Sequence, residues 1–216
     1  MATTSSCSTS GHFISSTTQE ETSNRKAQPE ILIENWDRMS SIRVLKTLTI
    51  GKGITMDLSV DESEPEDSIK RFFAQVVSTG EEAFKVPPHW HKHHAEYMTV
   101  LEGRAKISCK GETVELKAGD PAFFIPRRAV HSIEGFEGER LVVQERPDPP
   151  GMYKAMFFND LLSDGEFGGF WKTMRAFWDG DAYPAFPLYF RAIDEAFLFV
   201  FGGIAKLFVA EKPQEL

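Results

Sequence analysis

Apolar residues recur at every second position in short runs over the first two thirds of the chain, the pattern of strands half-buried on one face. These runs cover 31–36, 42–50, 54–60, 71–78 and 83–86, then 97–101, 105–109, 113–116, 122–125 and 141–144. Lys110-Gly111-Glu112 predicts a tight hairpin between two of them, and Lys117-Ala118-Gly119-Asp120 predicts the next turn. Short strands at this spacing predict a sandwich or a small barrel. Pro147-Asp148-Pro149-Pro150 should close the β region, because proline has no N–H for a sheet ladder.

After Gly151 the period changes. Eleven of the eighteen phenylalanines lie in this part, and Phe190, Ile193, Phe197, Val200, Phe201, Ile204 and Phe208 follow helical spacing, with Arg191, Asp194 and Glu195 on the other side. The stripe predicts an amphipathic helix that docks on the barrel or on a second subunit, the latter making a homodimer. Its longest uncharged run, 196–205, is ten residues, short of the ~20 that span a bilayer. No basic cluster marks it for a membrane surface.

Residues 1–24 hold thirteen Ser or Thr and only Phe13 and Ile14 as strongly apolar residues after Met1, so the leader, 1–30, is expected to be disordered. The first arginine is Arg25, and no continuous apolar stretch marks a secretory signal. A net charge of −8 argues against nucleic-acid binding. Two cysteines, Cys7 and Cys109, build no disulfide framework and point to a reducing, cytoplasmic setting. The acidic stretch 61–67, interrupted by Pro65, reads as a solvated connection. The expected organisation is therefore a leader over 1–30, a β-barrel over 31–150 and a helical extension over 151–216.

Chemistry concentrates in Pro87-Pro88-His89-Trp90-His91-Lys92-His93-His94-Ala95-Glu96, which holds four of the six histidines. On a strand His89 and His91 point to one face with Cα atoms ~6.6 Å apart, close enough to share an ion. Glu96 has the opposite parity, so it joins them only if 92–95 turns the chain onto the neighbouring antiparallel strand. A further imidazole, His131, follows the turn Pro126-Arg127-Arg128-Ala129-Val130. Three imidazoles and a carboxylate suit iron, manganese, nickel, copper or zinc, with coordination positions left open for chemistry. Clustered histidines alone would equally fit a solvated surface turn.

Spacing separates these readings. His89, His91, Glu96 and Gly103, with one, four and six residues between them, resemble the first motif of the cupin superfamily. Gly119, Pro126 and His131, with six and four residues between, resemble the second, fifteen residues further on. Arg128 replaces a glycine of the second motif, Gly135 its terminal asparagine, one residue is added before Pro126, and Gly80 lies further upstream than the first motif's leading glycine. The resemblance implies a mainly β fold, a single cupin barrel of jelly-roll type with C-terminal amphipathic helices. It also implies one transition-metal ion per subunit, iron foremost, on His89, His91, Glu96 and His131, with His93 and His94 left as turn, supporting or entrance residues.

The barrel with its Ser/Thr-rich leader and Phe-rich helices is also similar to small cupin-type oxidoreductases of fungal polyketide pathways. That similarity implies a largely apolar small-molecule substrate, with Phe123, Phe124, Tyr97, Met98 and Trp90 as candidate lining or ordinary core. The expected activity is a metal-dependent oxidoreductase in which Glu96 holds the metal or serves as catalytic base. A metal-assisted isomerase or cyclase and a non-catalytic binding barrel are the alternatives.

Overall fold

The computed structural model describes residues 41–163, 169–187, 190–210 and 216. The expected disordered leader and the predicted strand at 31–36 lie outside them. The alternating runs become β1 (Ile42–Gly51), β2 (Ile54–Asp61), β3 (Phe72–Ser78), β4 (Lys85–Trp90), β5 (Ala95–Glu102), β6 (Arg104–Cys109), β7 (Glu112–Lys117), β8 (Phe123–Ile125), β9 (His131–Glu134) and β10 (Leu141–Asp148). Helices α1 (Tyr153–Leu162) and α2 (Phe170–Asp179), the short strand β11 (Tyr183–Pro184) and helix α3 (Arg191–Ala205) follow. None of these helices is long and apolar enough to cross a membrane.

The strands form two antiparallel sheets, ordered β1-β2-β3-β10-β5-β8 and β11-β4-β9-β6-β7. Alternation decides what lies between them. Ala74 and Val76, Met98 and Val100, and Leu141 and Val143 point inward from one sheet, and Ala105, Ile107 and Ile133 from the other. Leu58 and Ile107 are wholly buried, and each such aliphatic residue contributes about 1.5–3 kcal/mol by leaving water. This is the mainly β, jelly-roll barrel with C-terminal helices that the sequence predicts.

Turn chemistry sets the register. Lys110 and Gly111 both have positive φ, +54° and +88°, which makes the two-residue hairpin whose twist matches its strands. Between β5 and β6, Gly103 has φ +75°, and a Cβ there would meet the Arg140 carbonyl oxygen at 2.1 Å, so only glycine fits.

Two strands depart most from the sequence reading. β10 runs through Pro147, because its ladder with β3 ends at Glu145 and the strand continues paired with β5 alone. β4 extends through Pro87 and Pro88, where an irregular register against β9 falls between Val86 and His89.

Candidate metal centre

His89 and His131 are paired residues on β4 and β9, with ring centroids 4.2 Å apart. Glu96 shares the inward face of β5 with Met98 and Val100, and is 1% exposed. His91 follows the end of β4. One donor atom from each of His89, His91, Glu96 and His131 lies within 4.8 Å of the others. The expected hairpin between the ligands does not form. β4 and β5 belong to different sheets, so residues 91–94 cross between sheets and the carboxylate reaches the imidazoles from across the interior.

All three imidazoles are oriented in the same way. The Nδ1–H groups of His89, His91 and His131 donate to the carbonyls of Pro87 (2.9 Å), Asp181 (2.8 Å) and Ala129 (3.0 Å). A carbonyl can only accept, so each neutral ring keeps its lone pair on Nε2. His91 Nε2 lies 3.0 Å from Glu96 Oε1, and His131 Nε2 lies 3.0 Å from Glu96 Oε2. Lone pairs facing carboxylate oxygens at that distance repel unless a proton or a metal ion lies between them. Donors ~3.0 Å apart also match neighbouring corners of an octahedron with bonds of ~2.1 Å. The residues therefore fit a transition-metal ion.

A cationic side chain reaches the same atoms. Lys154, on α1, is 5% exposed at its side chain and contacts Glu96 Oε1, with Glu145 Oε1 at 3.1 Å and His91 Nε2 at 3.2 Å. His94 Nε2 is 3.4 Å from the same nitrogen, and its ring stacks on His91 at 4.1 Å. The sequence reading left His94 as a turn, supporting or entrance residue, and missed Lys154 and Glu145. Lys154 occupies the helical stripe of Phe157, Phe158, Leu161 and Leu162, and Glu145 falls in phase with Leu141 and Val143. A charge on an apolar phase was the signal for both.

Burial raises the Glu145 carboxyl to about 7, with the Glu96 charge adding to it. Burial would raise Glu96 too, but His91, Lys154 and the close approach of His131 and His91, whose Nε2 can donate to it only when the ring is protonated, hold it well below the usual range. Burial lowers His91 to about 4 against the pull of Glu96. Desolvation, then His131 and His91, depress His89. At His131 the contact with Glu96 outweighs desolvation and raises the imidazole. Desolvation opposes the charge on Lys154, but Glu145 and Glu96 outweigh it and keep the ammonium protonated.

Residues 76–143, which carry all four donors, match the cupin domain family. The barrel is a cupin domain. It resembles KdgF from a Halomonas species at 22% identity, over 49% of this chain and 87% of that one, with a TM-score of 0.39. An RmlC-like cupin from Shewanella frigidimarina is 20% identical over 48% and 84% of the two chains, with a TM-score of 0.36. The cupin domain of Schizosaccharomyces pombe Cnp3 is 16% identical over 53% and 72%, with a TM-score of 0.35. An uncharacterized protein of Aquifex aeolicus is 48% identical over 44 residues, which are 20% of this chain and 36% of that relative. The chain thus spans little more than a third of that relative's length.

The C-terminal extension holds the two cupin turns that carry the donors. Asp181, with φ +59°, binds His94 Nδ1 (3.0 Å) and the backbone N–H groups of Lys92 and His93 through its carboxylate, while its carbonyl orients His91. Trp90 Nε1 donates to Asp194 Oδ2 at 3.0 Å. Glu195 pairs with Lys92 and with Arg128, each at 2.9 Å. Arg128 keeps the left-handed turn, φ +63°, that the motif's glycine would make, and its N–H donates to the His91 carbonyl at 2.7 Å.

These contacts change the expected faces of α3, where of the predicted stripe only Phe197 and Phe201 are half-buried, packed against Met174 and Leu198. Asp194, Leu198, Gly202 and Ala205 are buried, while Phe190, Ile193, Val200, Ile204 and Phe208 are exposed. Asp194 and Glu195 find partners on the barrel's turns, and Gly202 sits tight against Trp178 of α2. Close helix contact at small residues, together with those polar partners, outweighs the greasier face.

A cavity of about 520 Å³ opens beside the centre, bounded by Met56, Val76 and Met98 of the cupin barrel, by Phe157 and Phe158 of α1, and by His89, Glu145 and Lys154 at its polar end. Of the lining candidates, only Met98 borders it. Trp90 stacks instead on Tyr183 at 4.2 Å, and Phe124 is about half exposed and pairs with Tyr97 across neighbouring strands.

Proposed function

We propose that this cupin is a metal-dependent oxidoreductase acting on a small, largely apolar metabolite, with a polyketide intermediate of secondary metabolism as the substrate class. The observation that carries the reading is the set of three imidazoles held by their Nδ1 atoms and gathered with Glu96, two of them with Nε2 3.0 Å from its oxygens, beside a mostly apolar cavity. His89, His91, Glu96 and His131 hold one transition-metal ion, iron foremost. When bound, that ion supplies Lewis acidity and electron transfer between substrate and dioxygen.

The chain's own residues do the rest. Phe157, Phe158, Met56 and Met98 take the apolar body of the substrate and exclude water. Lys154 donates hydrogen bonds to an enol, phenol or alcohol oxygen brought to the polar end of the cavity. Glu145, its carboxyl raised to about 7 by burial and by Glu96, accepts or returns a proton near neutral pH. Glu96 anchors the donors and is the second candidate base. The exposed stripe of α3 supports self-association as a homodimer, and the scarcity of cysteine supports a cytoplasmic setting.

The same Glu145 and Lys154 pair favours one alternative, a metal-assisted isomerase or cyclase in which a proton moves without redox change. Metal-loaded protein incubated with a metabolite extract, with and without dioxygen, separates the two by product mass. The oxidoreductase reading expects a product that forms only with dioxygen and has lost hydrogen or gained oxygen. An oxygen-independent product of unchanged mass would replace it with the isomerase.

A further inference from the structure

Two cations have claims on the same donor atoms. The Lys154 ammonium carries three N–H groups and no acceptor. It is surrounded by Glu96 Oε1, Glu145 Oε1 at 3.1 Å, His91 Nε2 at 3.2 Å and His94 Nε2 at 3.4 Å. Two of these residues, Glu96 and His91, are donors of the metal centre. We propose that Lys154 and a divalent metal ion compete for Glu96 and His91, so that Lys154 sets how tightly the centre holds its metal. The inference rests on the metal-centre reading above.

Three features make the competition direct. The lysine is tethered, since Phe158 and Leu162 of its own helical stripe pack α1 on the barrel core while Phe157 and Leu161 pack with Ala176 of α2 and Ala182. It is buried, so an ammonium that leaves Glu96 cannot simply swing into water. A dication and an ammonium sharing one carboxylate at hydrogen-bond range also repel in surroundings that screen poorly. Glu145 makes the exchange feasible. Its contact with Lys154 lies outside the four-donor set, so an ammonium that gives up Glu96 keeps a counter-charge. Without Lys154, the buried Glu96 and the half-buried Glu145, diagonal neighbours on the paired strands β5 and β10, would lie close together with no cation between them, a costly arrangement. The lysine thus holds the donor set together and must be displaced before a metal takes it.

The test is a titration of chelator-treated, full-length protein with Co²⁺, followed by visible absorption and by melting temperature. Lys154→Met should bind Co²⁺ at least tenfold more tightly than wild type, about 1.4 kcal/mol. It should melt lower than wild type in chelator and recover most of that loss when saturated with Co²⁺. Because Lys154→Met alone leaves unbalanced carboxylates and could misfold, Lys154→Met/Glu145→Gln is compared with Glu145→Gln, and the same tenfold gain is expected. Affinities within threefold in both comparisons, with binding still abolished by His131→Ala, would overturn the competition and leave the metal centre standing. Co²⁺ binding that is equally weak in wild type, Lys154→Met and His131→Ala would overturn the metal centre itself.

Discussion

Trp90 and Asp194, 104 positions apart, are joined by a hydrogen bond of 3.0 Å, and both are almost wholly buried. Trp90 lies between His89 and His91, so this bond ties α3 to the segment that carries two of the four donors. Asp194 also accepts from the backbone N–H of Phe186 at 3.1 Å, which fixes the approach to the helix.

Removing the carboxylate strands both donors. Asp194→Ala should cost roughly 2–4 kcal/mol, since a buried donor left unpaired, here the Trp90 indole, costs about 1–3 kcal/mol and the partly buried Phe186 N–H costs less. A differential melting experiment checks this, with Asp194→Asn expected to lose less because it keeps an acceptor. An unchanged melting temperature for Asp194→Ala would mean that the extension does not brace the barrel.

Asp181 acts on the donors through their orientation. Its carboxylate binds His94 and the backbone of Lys92 and His93, whereas His91 is oriented by the Asp181 carbonyl, which a side-chain change leaves in place. Asp181→Ala should therefore loosen the 92–94 crossing and weaken metal affinity by about 10- to 100-fold, the usual range for partners behind a ligand, while the protein stays folded. Metal titration beside circular dichroism distinguishes this from unfolding. Full affinity in the variant would refute the role.

The depressed imidazoles predict an acid-sensitive metal-free protein. His91 titrates at about 4 when folded against 6.5 for the ordinary side chain, so between those values the unfolded chain binds more protons and stability falls as the pH drops. The full shift corresponds to ~3 kcal/mol as an upper figure. His89 works in the same direction, whereas His131, raised in the fold, contributes stability below 6.5 that is lost as pH rises. The loss on acidification should outweigh this. Below ~4.5 the depressed Glu96 adds to the acid loss as the pH falls through its folded value. His91→Gln, which cannot take up a proton, should flatten the melting curve between pH 6.5 and 4. An identical slope in wild type and His91→Gln would contradict this assignment.

The barrel and the four donors were legible in the sequence because each leaves a local trace. Alternation marks strands with one buried face, and the His89, His91, Glu96 spacing needs only a short crossing to converge. β9 was missed because four residues, His131 to Glu134, are too few to display alternation, and β11 because two residues ending in proline do not read as a strand. Lys154 and Glu145 were hidden in apolar phases that invited a reading as core alone. Asp181 leaves no local signal, since it reaches His94 across 87 positions. The face of α3 was misread because hydrophobic pattern measures affinity for the interior and ignores shape. Gly202 and Ala205 pack by being small, and Asp194 by having a partner.

Metal content per chain tests the central claim most directly. Protein purified and reconstituted with a transition metal, then measured by elemental analysis, should hold about one ion per chain. His89→Ala and His131→Ala should lose it, while His93→Ala, whose ring is absent from the four-donor cluster, should keep it. A wild-type protein that refuses every transition metal offered, or a His93→Ala variant that loses metal as fully as His89→Ala, would contradict the account.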